Sequence, residues 1–341
     1  FPISGNPYED SQRRPYPDNA RRFAALGWAA AHLAHRLDRH WSPEVVHGHD
    51  WHAALACACL KLWPSPQARR VPSVYTVHNL AYQGVFDAQH LGEIGMPQAA
   101  FQMEGLEFHG QISFMKAGLF YADHITTVSP TYAREIQTLE QGCGLDGLLR
   151  VRCKSLSGIL NAVDEGVWNP ATDLHLPRAF DLRHMGGKAE CKSALQREMG
   201  LEAIANAPLF AMVSRLTEQK GLHLVLAGVD NVIQGGGQLL VLGSGDAELE
   251  RAFSHSAAQY PGRVAVHLGY DEALAHRVFG ASDVTLVPSR FEPCGLTQMY
   301  GLKYGSVPLV RAVGGLVDTV VDADLATLED QSATGVVFQD F

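Results

Sequence analysis

The sequence predicts an α/β protein built from two Rossmann-like domains that face each other across a cleft. Three observations predict it. Short apolar runs alternate with helical segments in two separate series, and such alternation builds parallel sheets covered by helices. The chain has 341 residues, which suggests two domains rather than one. Polar side chains also collect where strands run out, and that end of an open α/β sheet is where ligands bind.

Residues 1–19 are rich in Pro, Asn, Asp and Arg and read as a surface segment. An amphipathic helix is expected over about 20–39, capped by Asp18 or Asn19. Residues 43–49 form a short strand, with His49-Asp-Trp-His52 at its carboxyl end, and an apolar helix follows over 53–62. Residues 72–78 form a second strand that ends at His78-Asn79. Gly92, Gly95 and Pro97 break any long helix between 86 and 110. Residues 111–121 are expected to be helical, 123–129 to be a strand, and Pro130 to open another helix. Residues 157–164 read as a strand and turn. The domain boundary is placed at Asp164, giving domains 1–164 and 165–341.

A charged helix over about 188–199 leads into the second series. Its strands are 208–213, 238–242, 264–268, 283–287 and 308–311, with helices near 220–234, 246–258, 271–280 and 296–304. Gly305 sits where a C-cap glycine belongs. Residues 335–338 look like a strand with nothing following. The chain starts at Phe1 rather than Met, so it reads as a fragment cut at the front and possibly at the back.

Hydrophobic residues make up 46% and charged residues 18% of the chain, and the net charge is −9. That balance argues against a general nucleic-acid binder. No apolar run reaches the roughly 18 residues of a membrane helix, so no membrane partner is expected. The six cysteines include no CxxC pair, which weakens metal-knuckle and disulfide readings and suits a reducing cytoplasm.

The densest chemistry lies between Pro288 and Gly305. The turn Arg290-Phe-Glu-Pro-Cys-Gly-Leu-Thr297 joins a buried strand to the helix that Gly295 is expected to open. First-turn amides of a helix carry partial positive charge and suit a diphosphate. Thr297 adds a hydroxyl, and Glu292 supplies a carboxylate that sugar hydroxyls can donate to. Arg215 and Lys220, five residues apart after the strand 208–213, suit two phosphates of one diphosphate. Arg grips in a bidentate way and Lys acts as a point charge. Gly243-Ser-Gly245 begins like a dinucleotide fingerprint, but Glu248 stands where its third glycine would be, which argues against a nicotinamide site. His47, His49, His52 and Asp50 invite a metal reading, yet no clear third and fourth ligands accompany them. A substrate-contacting Asp50 fits better, and His78 with Asn79 ends its strand in the same way. No serine-hydrolase elbow and no Walker A motif are present.

Taken together, these motifs resemble the bacterial glycogen synthases and the related plant starch synthases. The resemblance rests on His49-Asp-Trp-His52, Thr76-Val-His-Asn-Leu-Ala-Tyr-Gln-Gly84, Gly110 to Gly118, Ala122 to Tyr132, Asn161 with Val163-Asp-Glu165, Ser214-Arg-Leu-Thr-Glu-Gln-Lys-Gly221 and Ser289-Arg-Phe-Glu-Pro-Cys-Gly-Leu-Thr297. It covers essentially the whole chain. It implies a GT-B fold, with an acceptor-side first domain lacking its opening strands and a donor-side second domain lacking its final helices. It implies retaining transfer of glucose from ADP-glucose to the non-reducing end of an α-1,4-glucan such as glycogen, with no cofactor and no metal. Under the resemblance Arg215 and Lys220 hold the diphosphate and stabilise the charge on departing ADP, assisted by the amides near Leu296 and Thr297. Each well-placed donor of that kind is worth about 3 to 4 kcal/mol. Glu292, Cys294 and Gly295 bind glucose hydroxyls, and His78 and Asn161 contact the sugar. Asp50 lines the same pocket, and Tyr270 stacks on adenine. Tyr300 stands where related retaining transferases place a second glutamate. The family's Lys-Thr-Gly-Gly loop is missing from the sequence. Two other readings are a non-catalytic nucleotide- or glucan-binding piece, for which Trp51, Tyr82 and Tyr270 are the candidate aromatics, and a sucrose- or trehalose-type transferase.

Overall fold

A computed structural model describes residues 7–10, 12, 14–35, 37–38, 40–63 and 70–340. Part of the expected surface segment 1–19 (residues 1–6, 11 and 13) lies outside the described residues. The chain divides into two compact units between Ile159 and Leu160.

In the first unit, α1 (Asn19–Ala34) is shorter than the expected 20–39. Residues 37–38 are already bent, and Arg36 and Arg39 lie outside the described residues. Asp18 holds the N-cap position without a side-chain capping bond. Asn19 is inside the helix, where its Nδ2 donates to the Tyr8 carbonyl. Next come β1 (Val46–His49), α2 (Asp50–Ala53), α3 (Leu55–Leu62) and β2 (Ser73–Val77). The mixed stretch after them carries β3 (Val85–Asp87) and β4 (Glu107–Phe108). Gln111–Ser113, expected to be helical, is instead β5, the centre of a small antiparallel sheet in the order β3-β5-β4. The helix α4 (Phe114–Tyr121) starts only where the Ser113 side chain accepts from the Lys116 amide. The unit is completed by β6 (His124–Thr127), α5 (Pro130–Glu135), α6 (Asp146–Val151) and β7 (Leu156–Gly158). Its main sheet is parallel in the order β1-β2-β6-β7. Tyr75, Leu80, Phe114 and Leu119 are fully buried in its core.

The second unit contains α7 (Gly186–Glu198), β8 (Leu209–Val213), α8 (Leu222–Gln234), β9 (Gln238–Gly243), α9 (Ala247–Gln259), β10 (Val264–Leu268), α10 (Glu272–Ala281), β11 (Val284–Val287), α11 (Thr297–Lys303), β12 (Val307–Arg311), α12 (Gly314–Thr319), α13 (Leu325–Glu329) and β13 (Val336–Phe338). The six strands are parallel in the order β10-β9-β8-β11-β12-β13. Counted within the unit this is 3-2-1-4-5-6, the doubly wound Rossmann order. One cluster (Leu240, Val278, Phe279, Tyr304) and another (Val229, Val241, Phe253) form its main core. The segment after Leu160 is pinned to this unit by Trp168, whose ring stacks between those of His276 and Tyr300 at 3.7 and 3.9 Å. Buried Asp173 accepts from His276 Nδ1 at 2.6 Å and from the Tyr304 hydroxyl.

Candidate functional site

In the order 3-2-1-4-5-6 the chain winds outward in one direction from β8 and in the other from β11. The carboxyl ends of these two neighbours therefore leave a crevice, because their following connections go to opposite sides. The loop after β8 carries Arg215 and Lys220, and the loop after β11 carries Arg290 to Leu296. Backbone and side chains knit the two loops together. The Arg290 amide donates to the Gln219 carbonyl at 2.8 Å, Gln219 Nε2 to the Phe291 carbonyl at 3.3 Å, and Arg290 to Glu218 Oε1 at 2.5 Å.

Glu292 is only 6% exposed. Its Oε2 accepts from Lys220 Nζ at 2.6 Å and from Ser289 Oγ at 2.8 Å. The sequence separates these two side chains into a phosphate clamp and a sugar-hydroxyl acceptor, but the fold pairs them with each other. A charge removed from water is costly unless matched, and this pairing is what lets both sit at the base of the crevice.

Arg215 is exposed and lines a pocket of about 290 Å³ with Ser214, Gly243, Ser244, Tyr270 and Asp271. Tyr270 stands 88% exposed at this pocket, and its hydroxyl donates to Glu272 Oε2 at 3.0 Å. The glycine pair that mimics a dinucleotide fingerprint has a steric role here. A Cβ on Gly243 would lie 1.8 Å from the Ser214 carbonyl oxygen, and one on Gly245 2.3 Å from that of Leu216. Only glycine lets the loops after β8 and β9 approach this closely.

The helix α11 begins at Thr297, two residues later than expected, because Gly295 takes a left-handed φ of 72° and Leu296 holds the N-cap position. Gln298 then gathers the loop, donating to the carbonyls of Gly295 at 2.8 Å and Cys294 at 3.0 Å. Thr297 Oγ1 donates to the Val213 carbonyl at 3.4 Å, tying α11 to the end of β8. Burial pushes the Cys294 thiol pKa up, while a backbone hydrogen bond from Asn161 pulls it the other way. Cys294 and Asn161, far apart in sequence, are thus neighbours in the second unit.

In the first unit, the carboxyl end of β1 turns through Asp50, a non-glycine residue at φ 52°. That conformation costs energy for most residues and is least costly for Asp and Asn. It folds the carboxylate back, so that Oδ1 accepts from the amides of His78 at 2.8 Å and Asn79 at 3.4 Å. The carboxylate expected to line a substrate pocket is bonded through Oδ1 to the backbone at the end of β2. Asn79 Oδ1 accepts from the Ala81 amide at 3.1 Å, and the His78 ring meets that of His49, with Nε2 and Nδ1 2.9 Å apart. Burial, aided by His47 and His78 and opposed by Asp50, holds the His49 pKa below the usual imidazole value.

Ser289, Gln219 and Glu272 belong to this picture, and sequence reasoning left them out. Ser289, quoted only as the start of a motif, had one available signal in its position three residues before Glu292. Among the described residues no group of three or more His, Cys, Asp or Glu is placed to hold a metal ion, and no helix is long and apolar enough to cross a membrane.

Comparison with known proteins sets this geometry in a family. Residues 1–151 match the family model described as starch synthase catalytic domain, and residues 200–339 that of glycosyl transferases group 1. Glycogen synthase of Variovorax paradoxus is 63% identical over 340 residues, covering 99% of this chain and 69% of that protein. Glycogen synthase of Leptothrix cholodnii is 62% identical over 338 residues, with the same coverage of 99% and 69%. The catalytic domain of starch synthase IV from Arabidopsis thaliana, solved bound to ADP and acarbose, superposes with a TM-score of 0.89 at 36% identity, covering 96% of this chain and 68% of that one. With two α/β units of GT-B type, each built on a parallel sheet, and this degree of identity over its whole length, the chain belongs to the glycogen synthase family of glycosyltransferases.

Proposed function

We propose that this chain carries the retaining transfer of glucose from ADP-glucose to the non-reducing end of an α-1,4-glucan, without a metal ion and in the cytoplasm. The observation that carries the reading lies at the carboxyl ends of the second unit's strands, where Arg215 and Tyr270 line one pocket and the Lys220–Glu292 pair joins the loops after β8 and β11. The similar starch synthase domain was solved with ADP, which supports adenine as the base.

In this reading Arg215 grips the diphosphate with its guanidinium fork. The entering diphosphate draws Lys220 away from Glu292. Glu292, still held by Ser289, then accepts hydrogen bonds from the sugar hydroxyls. The bond between the sugar's anomeric carbon and the phosphate oxygen breaks, and its electron pair leaves with ADP. Arg215 and Lys220 offset the growing negative charge, so their contribution is electrostatic and strongest in the transition state. The incoming glucan hydroxyl attacks from the face the phosphate leaves, and its proton passes to the departing phosphate. Tyr270 supplies a ring for the base. In the first unit His78 offers a ring nitrogen to the sugar, and Asp50 and Asn79 hold the backbone that presents it.

Titration calorimetry with ADP, UDP and an Arg215→Ala/Lys220→Ala double variant tests this. ADP binding that the double variant abolishes and UDP does not match is the expected result. A folded chain that binds neither nucleotide would overturn the donor assignment, and equal binding of UDP would redirect it to another nucleotide-sugar donor.

A further inference from the structure

The polar row at the carboxyl edge of the first unit contains one group that the proposed reaction leaves without a task. His47 and His49 lie on one face of β1 because strand side chains alternate. Their rings are 4.2 Å apart. His47 Nε2 is 2.7 Å from Thr76 Oγ1, which ties that ring to β2. His49 Nδ1 is 2.9 Å from His78 Nε2. The backbone amide of His78 is already bonded to Asp50, so the ring is what His78 has left to present.

Two neutral imidazoles joined through Nδ1 and Nε2 share one proton between those atoms. If His78 donates, its remaining nitrogen, Nδ1, is a bare acceptor. If His49 donates, the proton of His78 sits on Nδ1 and the ring presents an N–H. A sugar oxygen, or an oxygen gaining charge as a phosphate leaves, calls for that N–H. The titratable groups facing His49 are His47, His78 and Asp50, and burial with the two imidazoles outweighs the carboxylate. His49 is therefore held neutral near pH 7, where the choice of tautomer matters.

We infer that His49 is a positioning residue, whose Nδ1–H donates to His78 Nε2 and so holds the His78 ring in one plane as the Nδ1–H tautomer. The inference rests on the glucosyl-transfer reading, because the oxygen that reading brings to His78 is what calls for the N–H.

The test is 15N NMR of histidine-labelled chain at neutral pH, with the His78 signals assigned by their loss in His78→Gln. The wild type is expected to show His78 protonated at Nδ1. In His49→Ala that preference disappears. In His49→Asn it persists, because the Asn amide nitrogen is bonded to Cγ as Nδ1 is and donates from the same place. In turnover, His49→Ala is expected to lower kcat about tenfold while the donor KM changes by less than about twofold, the mark of an interaction made in the transition state. His49→Asn should recover most of that loss. A His78 protonated at Nε2 in the wild type, or a tautomer indifferent to His49→Ala, overturns the inference. So does a folded His49→Asn that behaves like the alanine variant. The NMR arm needs neither turnover nor nucleotide, so its failure is distinct from a failed calorimetric test of donor binding.

Discussion

Two side chains in this chain have a meaning that their neighbours in sequence do not disclose. Lys220 and Glu292 are 72 residues apart and share a 2.6 Å ion pair with little solvent access. Removing one partner of a buried pair typically costs about 3 to 5 kcal/mol, because the other charge is left unmatched. Ser289 stays on Glu292, so Lys220→Met is expected near the lower end, about 3 kcal/mol, read from urea unfolding. Lys220→Met/Glu292→Gln should regain at least half of it, and strict additivity would show that the pair is not coupled. Asp50 combines a left-handed backbone with a carboxylate that closes the end of β2. Asp50→Asn keeps both an acceptor and a tolerance for that φ. Asp50→Ala loses both, and should cost about 2 kcal/mol or more, against about 1 kcal/mol for Asn. Equal losses would mean that the backbone at 50 relaxes.

At the scale of elements, close approach and local anchoring decide the geometry. Gly243→Ala would drive a methyl group into the Ser214 carbonyl and force apart the loops after β8 and β9. An overpacked site costs about 1 to 3 kcal/mol, and ADP affinity should fall with stability because Ser214, Arg215 and Gly243 line one pocket. A variant that keeps its affinity while losing stability would separate the pocket from this contact. In the first unit, Asp123 gathers Lys61 of α3, Arg70 and the start of β2 through the Ser73 amide. Burial pushes the Asp123 pKa up, but hydrogen bonds from Lys61, the Ser73 amide and Arg70 outweigh it and hold it at about 2, below the usual 3.8. A carboxyl with a lowered folded-state pKa stabilises the fold above its unfolded value. That stability is fully present above pH 3.8 and drains away as pH falls toward 2. Acid titration followed by circular dichroism should show Asp123→Asn less stable than wild type at pH 7, with the two converging near pH 2. A gap that persists at pH 2 would assign the loss to packing. The same scale shows where sequence patterns mislead. Gln111-Ile-Ser113 has no strand pattern of its own length, and only antiparallel partners on both sides make it β5.

For the molecule as a whole, the two units provide a discriminating prediction. A ligand that binds only the folded state stabilises it by about 2.7 kcal/mol at one hundred times its Kd. Scanning calorimetry of the chain with ADP should therefore move the transition belonging to residues 160–341 upward and leave that of residues 1–159 in place. A shift of both transitions together would show that the units unfold as one.

The sequence by itself determined the class of the fold, the placement of most second-unit strands and helices, and the motifs that mark the family. These are local properties: apolar runs of strand length, breaker residues, and side chains set at fixed spacings along one segment. It also placed Gly305 correctly, since a left-handed C-cap needs only the residue itself and the helix before it. What the tertiary structure alone decided is nonlocal. The strand order that puts β8 beside β11 is chosen by pairing across more than seventy residues. The Lys220–Glu292 pair, the Asn161–Cys294 contact and the His49–His78 bond follow from such pairings, because a side chain's partner is set by which strand ends meet and not by how far apart they lie along the chain.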